Sequence, residues 1–492
     1  MNRSQGVVGL VLALLVAVGL SAAGCADDPD RPLPAPEPIL TGSHPCTPGE
    51  LGSSDPGPVA KPGGVTFSCA RLTVPLDHPG LRAQPRHSGE LALPVAVSDN
   101  VGAPRGVLIR LTGGPGQPGL AQAADITATE LAPEVTRDYR LVFIDQRGTG
   151  VGALRCPELQ LTSGANDLDP PKEGAVQACG QRLGGVRRFY STADTVADLE
   201  ALRQALRVPK LSVDGVSYGT FVAARYAITH PDRVARLVLD SVVPHDGPEA
   251  LETVVLGGTA RVLNLVCERT ACGTDPVADL AKVVRTRHDG PELLATITVL
   301  TSGKPDLNAV PAALHRAAAG DYAALDAIID TVRRNQAVRP EQLSLGLHAS
   351  TLCQDMHGPW GDASTPVAGR AEAIHTAVDA LPDDAFLPYD RAAAADNGRM
   401  VTCRLWPNTP VLSYPAGIVL PAGTHNLPAV PVLLLAGDHD LLTPMEWAQR
   451  EASRAPAGRL VVIPGAGHVT QRAANGPLAR AEVARFLTEP GG

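Results

Sequence analysis

Aromatic side chains are scarce in this 492-residue chain, at 3% for Phe, Trp and Tyr together. Runs of Lys or Arg are missing too, and acids outnumber bases 51 to 42, for a net charge of −9. A surface with neither stacking rings nor a cationic stripe has no means of tracking phosphates and bases, which argues against nucleic-acid binding. No CxxC pair stands with histidines at zinc-ligand spacing, so no metal site is expected, and nothing requires an organic cofactor. The 49 glycines follow no three-residue period, which excludes a collagen-like rod. What is present is a 44% apolar fraction, ample for a buried core. The length exceeds one ordinary domain and points to two domains or one large fold carrying an insertion.

The N-terminal segment reads as an address. Arg3 precedes a 14-residue apolar run, Val7 to Leu20, too short to span a bilayer comfortably and suited to the h-region of a secretory signal. Ser21-Ala-Ala-Gly-Cys25 follows and resembles the lipobox of bacterial lipoproteins, with Cys25 as the lipidated residue. The other reading is an ordinary signal peptide cut near Ala23. Setting Cys25 aside leaves eight of the nine cysteines, an even number suited to an oxidising compartment. Proximity pairs them as Cys46–Cys69, Cys156–Cys179, Cys267–Cys272 and Cys353–Cys403. The expectation is an exported protein of the cell envelope, anchored by lipid to the outer face of the cytoplasmic membrane, or secreted. A Pro- and Asp-rich stretch then reads as an extended tether over 25–60.

Beyond it, short apolar runs alternate with helical patterns. Gly106–Leu111, Tyr139–Ile144, Leu211–Val213 and Val234–Leu239 read as strands, with helices at Thr195–Leu206 and Thr220–His230. This alternation implies a mostly parallel sheet with helices on both faces. It stops after Ser241 and resumes at Pro431–Ala436 and Leu460–Ile463. The expected layout is therefore a signal peptide over 1–24, the tether, a core in two parts (61–244 and 426–492), and a mainly helical cap over 245–425, inserted after the sixth strand.

Three motifs end those strands. Gly215-Val-Ser-Tyr-Gly219 is G-x-S-x-G between a strand and a helix, the setting in which a sharp turn raises a serine hydroxyl above a sheet. A serine needs a base, and the base an orienting acid, in the chain order Ser, acid, His. Gly437-Asp-His-Asp440 and Gly465-Ala-Gly-His468 follow the last two strands, which nominates Ser217, Asp440 and His468. His439 rivals His468, and Asp438 rivals Asp440. Leu111-Thr-Gly-Gly-Pro-Gly116 offers backbone N–H groups to an oxyanion, from Gly114 here and from Tyr218 after the nucleophile. Asp145 and Arg147 read as structural residues pinning that loop.

These motifs, with Asp145-Gln-Arg-Gly-Thr-Gly150, Val74-Pro-Leu-Asp77, Tyr190-Ser-Thr-Ala-Asp194 and Cys403-Arg-Leu-Trp-Pro407, occur in one order. Together they resemble the α/β-hydrolase family of prolyl iminopeptidases and secreted tripeptidyl aminopeptidases, most closely the tripeptidyl branch, over roughly residues 65–480. Thr112 stands where iminopeptidases carry His, which turns the reading away from strict prolyl specificity. The resemblance implies a serine peptidase releasing short N-terminal peptides. Reading a free ammonium group calls for a cap carboxylate, and Asp355, beside Cys353, is the candidate, with a solvated surface acid as the other reading; Thr443 is a further substrate-binding candidate. A carboxylesterase using the same triad, and a non-catalytic binding protein on the same fold, are the other readings. The expected partner is a peptide or ester substrate, with membrane contact only through the lipid anchor.

Overall fold

A computed structural model describes residues 38–53, 64–82, 88–302, 307–409 and 426–490. The signal peptide and Cys25 lie outside the described residues, as does most of the tether. Among the described residues nine strands form one sheet: β1 (Leu40–Pro45), β2 (Phe67–Pro75), β3 (Glu90–Ser98), β4 (Val107–Leu111), β5 (Arg140–Ile144), β6 (Leu211–Val216), β7 (Val234–Asp240), β8 (Val432–Gly437) and β9 (Gly458–Ile463). Their spatial order is β1-β2-β3-β5-β4-β6-β7-β8-β9. β1, β2 and β3 pair antiparallel, β3 meets β5 antiparallel, and the strands from β5 through β9 run parallel.

β1 corrects the tether expectation. Residues 40–45, grouped with the tether for their neighbouring prolines, pair with β2, and Cys46 is bonded to Cys69 within it. β1 is an exposed edge strand, where a terminal proline costs no ladder bond. It also makes the cap follow the seventh strand in chain order instead of the sixth.

β4, β6 and β8 are buried along their whole length, as expected of parallel strands covered on both faces, whereas β2 alternates buried and exposed. One face carries the helices Thr192–Ala205 and Tyr218–Thr229, and the other packs against the C-terminal helix Leu478–Thr488. The chain leaves β4 toward β5 on one side and returns to β6 on the other. The crevice above β4 and β6 is thus a topological switch point, where open parallel sheets bind ligands.

Between β7 and β8 lie the helices from Thr253–Thr270 to Gly398–Leu405, and all of them but Leu345–Asp355 share a core of their own that extends to Leu441 and Trp447. Residues 156–183 were grouped with the first core segment, but Cys156, Leu159, Val176 and Cys179 cluster instead with Leu343, Ala349, Cys353 and Trp406 of the insertion. The eight cysteines form Cys46–Cys69, Cys156–Cys179, Cys267–Cys272 and Cys353–Cys403. Among the described residues no helix is long and apolar enough to cross a membrane.

Asp145, at the end of β5, accepts the Leu120 N–H at 2.9 Å, which fastens the loop leaving β4. Burial pushes its carboxyl up to about 6, with the Leu120 and Gly119 N–H groups opposing. The folded chain therefore keeps a proton that the unfolded chain releases near 3.8, so raising the pH through that window withdraws stability, by about 3 kcal/mol at most. Asp145→Asn retains the acceptor and has no proton to lose. Its Tm is expected to fall less than that of the natural protein between pH 4 and pH 7, and calorimetry giving parallel Tm–pH curves would refute the assignment.

Candidate active site

The turn between β6 and the Tyr218–Thr229 helix is dictated by its glycines. A Cβ on Gly215 would lie 2.4 Å from the Gly219 carbonyl oxygen, and one on Gly219 would lie 2.5 Å from the Leu111 carbonyl oxygen. With both removed, Ser217 occupies φ 54°, ψ −126°, a left-handed conformation that a non-glycine residue adopts only when its surroundings enforce it. Its N–H donates to the Asp240 carbonyl at 2.9 Å, and the Thr220 hydroxyl donates to its carbonyl at 2.6 Å. The side chain lines a cavity above the sheet.

His468, in the loop after β9, lines the same cavity. Its Nδ1 is 2.9 Å from Asp440 Oδ2 in the loop after β8, which leaves Nε2 as the free ring nitrogen. Asp440 is fully buried and takes two more bonds, from the Thr443 N–H at 3.0 Å and the Thr443 hydroxyl at 2.7 Å. Burial pushes this carboxyl up, but the His468 imidazole and the Thr443 donors outweigh it and hold it below its ordinary range. Thr443 Oγ1 also lies 3.2 Å from His468 Nδ1, so this hydroxyl is engaged by Asp440 and His468, and the residue, a substrate-binding candidate, lines the cavity. The rivals point elsewhere. His439 lies against Arg269 and Asp438, while Asp438 accepts the Gly465 N–H at 2.7 Å.

Three residues unremarked in the sequence set these loops. The Asp240 carboxylate, at the end of β7, accepts the Thr470 N–H (3.0 Å), the Thr470 hydroxyl (2.8 Å) and the Gln471 N–H (3.0 Å), and Ser241 Oγ accepts the Val469 N–H at 2.8 Å. Thr301, from the cap, accepts the His468 N–H on its carbonyl at 3.0 Å and the Leu441 N–H on its hydroxyl at 3.2 Å. A Cβ on Gly467 would clash with that same Thr301 carbonyl at 1.8 Å, which is why the residue before His468 is glycine. The only sequence signal was the placement of Asp240-Ser241 at a strand end.

Gly114 and Tyr218 both line the cavity. A Cβ on Gly113 would approach Ser217 Cβ to 2.8 Å, so this loop passes directly over the serine. Gly114 sits at φ +109°, which glycine alone adopts readily. Tyr218 is in the first helical turn, whose N–H groups have no intrahelical acceptor. Asp145 anchors the same loop, but Arg147 does not: its guanidinium binds both Asp198 oxygens (2.6 and 2.7 Å) and the carbonyls of Leu76 and Phe189.

The cavity measures about 320 Å³. Among its described lining residues Asp167 is the carboxylate, and Asp355 is absent from them. Asp355 instead accepts the Thr192 N–H at 2.8 Å and the Tyr218 hydroxyl at 3.0 Å, which corrects its expected role as a ligand for the substrate's ammonium group. Asp167 bonds Arg399 at 2.7 Å and lies 3.5 Å from His348. Burial pushes its carboxyl up, yet Arg399 and His348 prevail and hold it well below the usual range. Arg399 also bonds Glu252 at 2.9 Å, whose carboxyl burial pushes up to about 7 against that attraction.

Two family models match, the alpha/beta hydrolase fold over residues 106–257 and the TAP-like protein over residues 389–491. The chain is 34% identical over 195 residues to a tripeptidyl aminopeptidase of Streptomyces coelicolor, covering 36% of this chain and 35% of that protein. That alignment thus spans about a third of the relative's length. It is 27% identical over 506 residues to the serine protease Hip1 of Mycobacterium tuberculosis, covering 93% of this chain and 91% of that one. To a proline iminopeptidase of Neisseria meningitidis it is 31% identical over 183 residues, covering 36% and 47%.

Truncating Asp240 to Ala strands the Thr470 and Gln471 N–H groups in a buried site. Each unsatisfied donor costs on the order of 1–3 kcal/mol, so a loss of about 3 kcal/mol is expected in denaturant unfolding. A loss under ~0.5 kcal/mol, the scale of an ordinary surface change, would show that these bonds do not hold the loop.

Proposed function

We propose that this chain, which has the α/β-hydrolase fold with a TAP-like C-terminal part, is an exported serine peptidase that releases short peptides from free N-termini. The observation that carries the reading is the Asp440–His468 bond at 2.9 Å beside a cavity that His468 shares with Ser217. Four disulfides favour an oxidising compartment, and the sequence favours attachment through Cys25.

Ser217 Oγ attacks the scissile carbonyl carbon while His468 Nε2 takes its proton, and Asp440 stabilises the resulting imidazolium. The negative charge gathering on the carbonyl oxygen is met by the Gly114 and Tyr218 N–H groups. His468 then passes the proton to the leaving amine nitrogen as the C–N bond breaks, leaving an acyl-serine. Water repeats the sequence: His468 deprotonates it, it attacks the ester carbon, and Ser217 Oγ leaves with the returned proton. Asp440 must stay ionised for this, and its lowered pKa keeps it so throughout the neutral range.

Peptidase chemistry is favoured by the relatives named tripeptidyl aminopeptidase and serine protease. A free ammonium group needs a carboxylate, and Asp167 supplies one within the cavity, with Glu252 behind Arg399. Asp167→Asn is expected to raise KM for a tripeptide anilide about tenfold, the scale of one charge-assisted hydrogen bond, with little effect on a p-nitrophenyl ester lacking an amine. An unchanged KM on the anilide removes Asp167 from that role. Ser217→Ala should abolish labelling by a fluorophosphonate, and retained labelling would defeat the whole reading. A higher kcat/KM on an unactivated alkyl ester than on any free-amine peptide would make the protein an esterase.

A further inference from the structure

The helix Leu345–Asp355 belongs to the cap in sequence but is fastened along its length to the core. A Cβ on Gly346 would meet the Leu154 carbonyl oxygen at 2.4 Å, and the Thr351 hydroxyl donates to the Tyr190 carbonyl at 2.7 Å. Its two ends reach the two groups assigned to the oxyanion. At the N-terminal end, the Ser344 N–H donates to the Gly116 carbonyl at 3.0 Å, and His348 Nδ1 donates to the Pro115 carbonyl at 2.9 Å. These are the residues immediately after Gly114, and the Leu343 side chain closes over them. At the C-terminal end, Asp355 accepts from the Tyr218 hydroxyl at 3.0 Å and from the Thr192 N–H at 2.8 Å. The Thr192 hydroxyl closes the triangle, 2.8 Å from the Tyr218 hydroxyl.

We propose that this helix braces the oxyanion hole, with His348 and Asp355 as positioning residues that set the Gly114 and Tyr218 N–H groups from opposite ends. The inference rests on the serine-hydrolase reading above. A peptide N–H is useful to an oxyanion only within a few tenths of an ångström of its place, and a loop containing Gly113, Gly114 and Gly116 has little rigidity of its own. The Pro115 carbonyl bonded to His348 removes that freedom, because rotating the Gly114–Pro115 segment would break the bond. The Tyr218 ring is similarly held by its hydroxyl, which restrains the first turn of the helix that carries the second donor.

A substrate-binding role for His348 would act otherwise. Its Nε2 faces Asp167 at 3.5 Å, so contact with the peptide would be felt in KM and only by substrates long enough to reach the cap. A positioning role acts on kcat, and on every substrate.

The test compares His348→Leu, His348→Asn and Tyr218→Phe in the full chain, using a tripeptide anilide and p-nitrophenyl acetate. Asn can place an amide N–H near the position of Nδ1. Expected are kcat losses of about 10- to 100-fold for His348→Leu on both substrates, up to the ~10²–10³ seen when a donor is removed outright, with KM for the acetate ester within about twofold. His348→Asn should recover most of the loss. Tyr218→Phe keeps its backbone N–H and should still lose kcat on both substrates, which tests the brace should His348→Leu fail to fold. Unchanged kcat on the acetate ester in the folded variants, or a loss confined to KM of the anilide, overturns the brace. Ser217→Ala in the same fluorophosphonate assay separates that failure from a failure of the hydrolase reading itself.

Discussion

Two segments more than two hundred residues apart meet at Asp240. Its main-chain carbonyl takes the Ser217 N–H, and its carboxylate takes three donors from Thr470 and Gln471, just after His468. A carboxylate with no exposed surface must find donors or forfeit several kcal/mol, so its burial at the end of β7 obliges the later loop to come to it. Gln471 adds a bond to Asp214, the residue before the first elbow glycine. Ser217 and His468 thus share one support.

The cap completes what the sheet begins. Thr301 ties the Asp440 and His468 loops together, and the core of the cap helices continues into Leu441, between Asp440 and Thr443, and into Trp447 beyond them. The insertion thus supplies part of the bonding that holds the loops carrying Asp440 and His468. The acid, the base and the elbow are each fixed by at least one contact that no single segment could provide.

Much of this was legible in the sequence where the constraint is local. Gly215 and Gly219 flank the serine because a methyl at either place meets backbone within 2.5 Å, and Gly113 is bare because Ser217 lies beneath it. The six parallel strands followed from apolar runs, of which β4, β6 and β8 are buried along their whole length. Where a side chain's partner arrives from a distant segment, pattern was silent. Asp355 looked like a cavity carboxylate and is tied to Tyr218, while Thr443, which does line the cavity, also holds Asp440. Arg147 was expected at the β4 loop and binds Asp198. β1 was hidden because proline-rich composition argues for a tether, yet one edge strand tolerates it.

The disulfides close loops of 23, 23, 5 and 50 residues, and every one of them lies before residue 404. The final part of the chain, with Asp440 and His468, is joined to the rest by a single peptide connection and otherwise by hydrogen bonds and packing. One proteolytic nick between residues 405 and 432 would therefore place Ser217 and His468 on two polypeptides with no covalent link between them. Whether such a pair stayed active would depend on concentration, as the assembly of any two-component complex does.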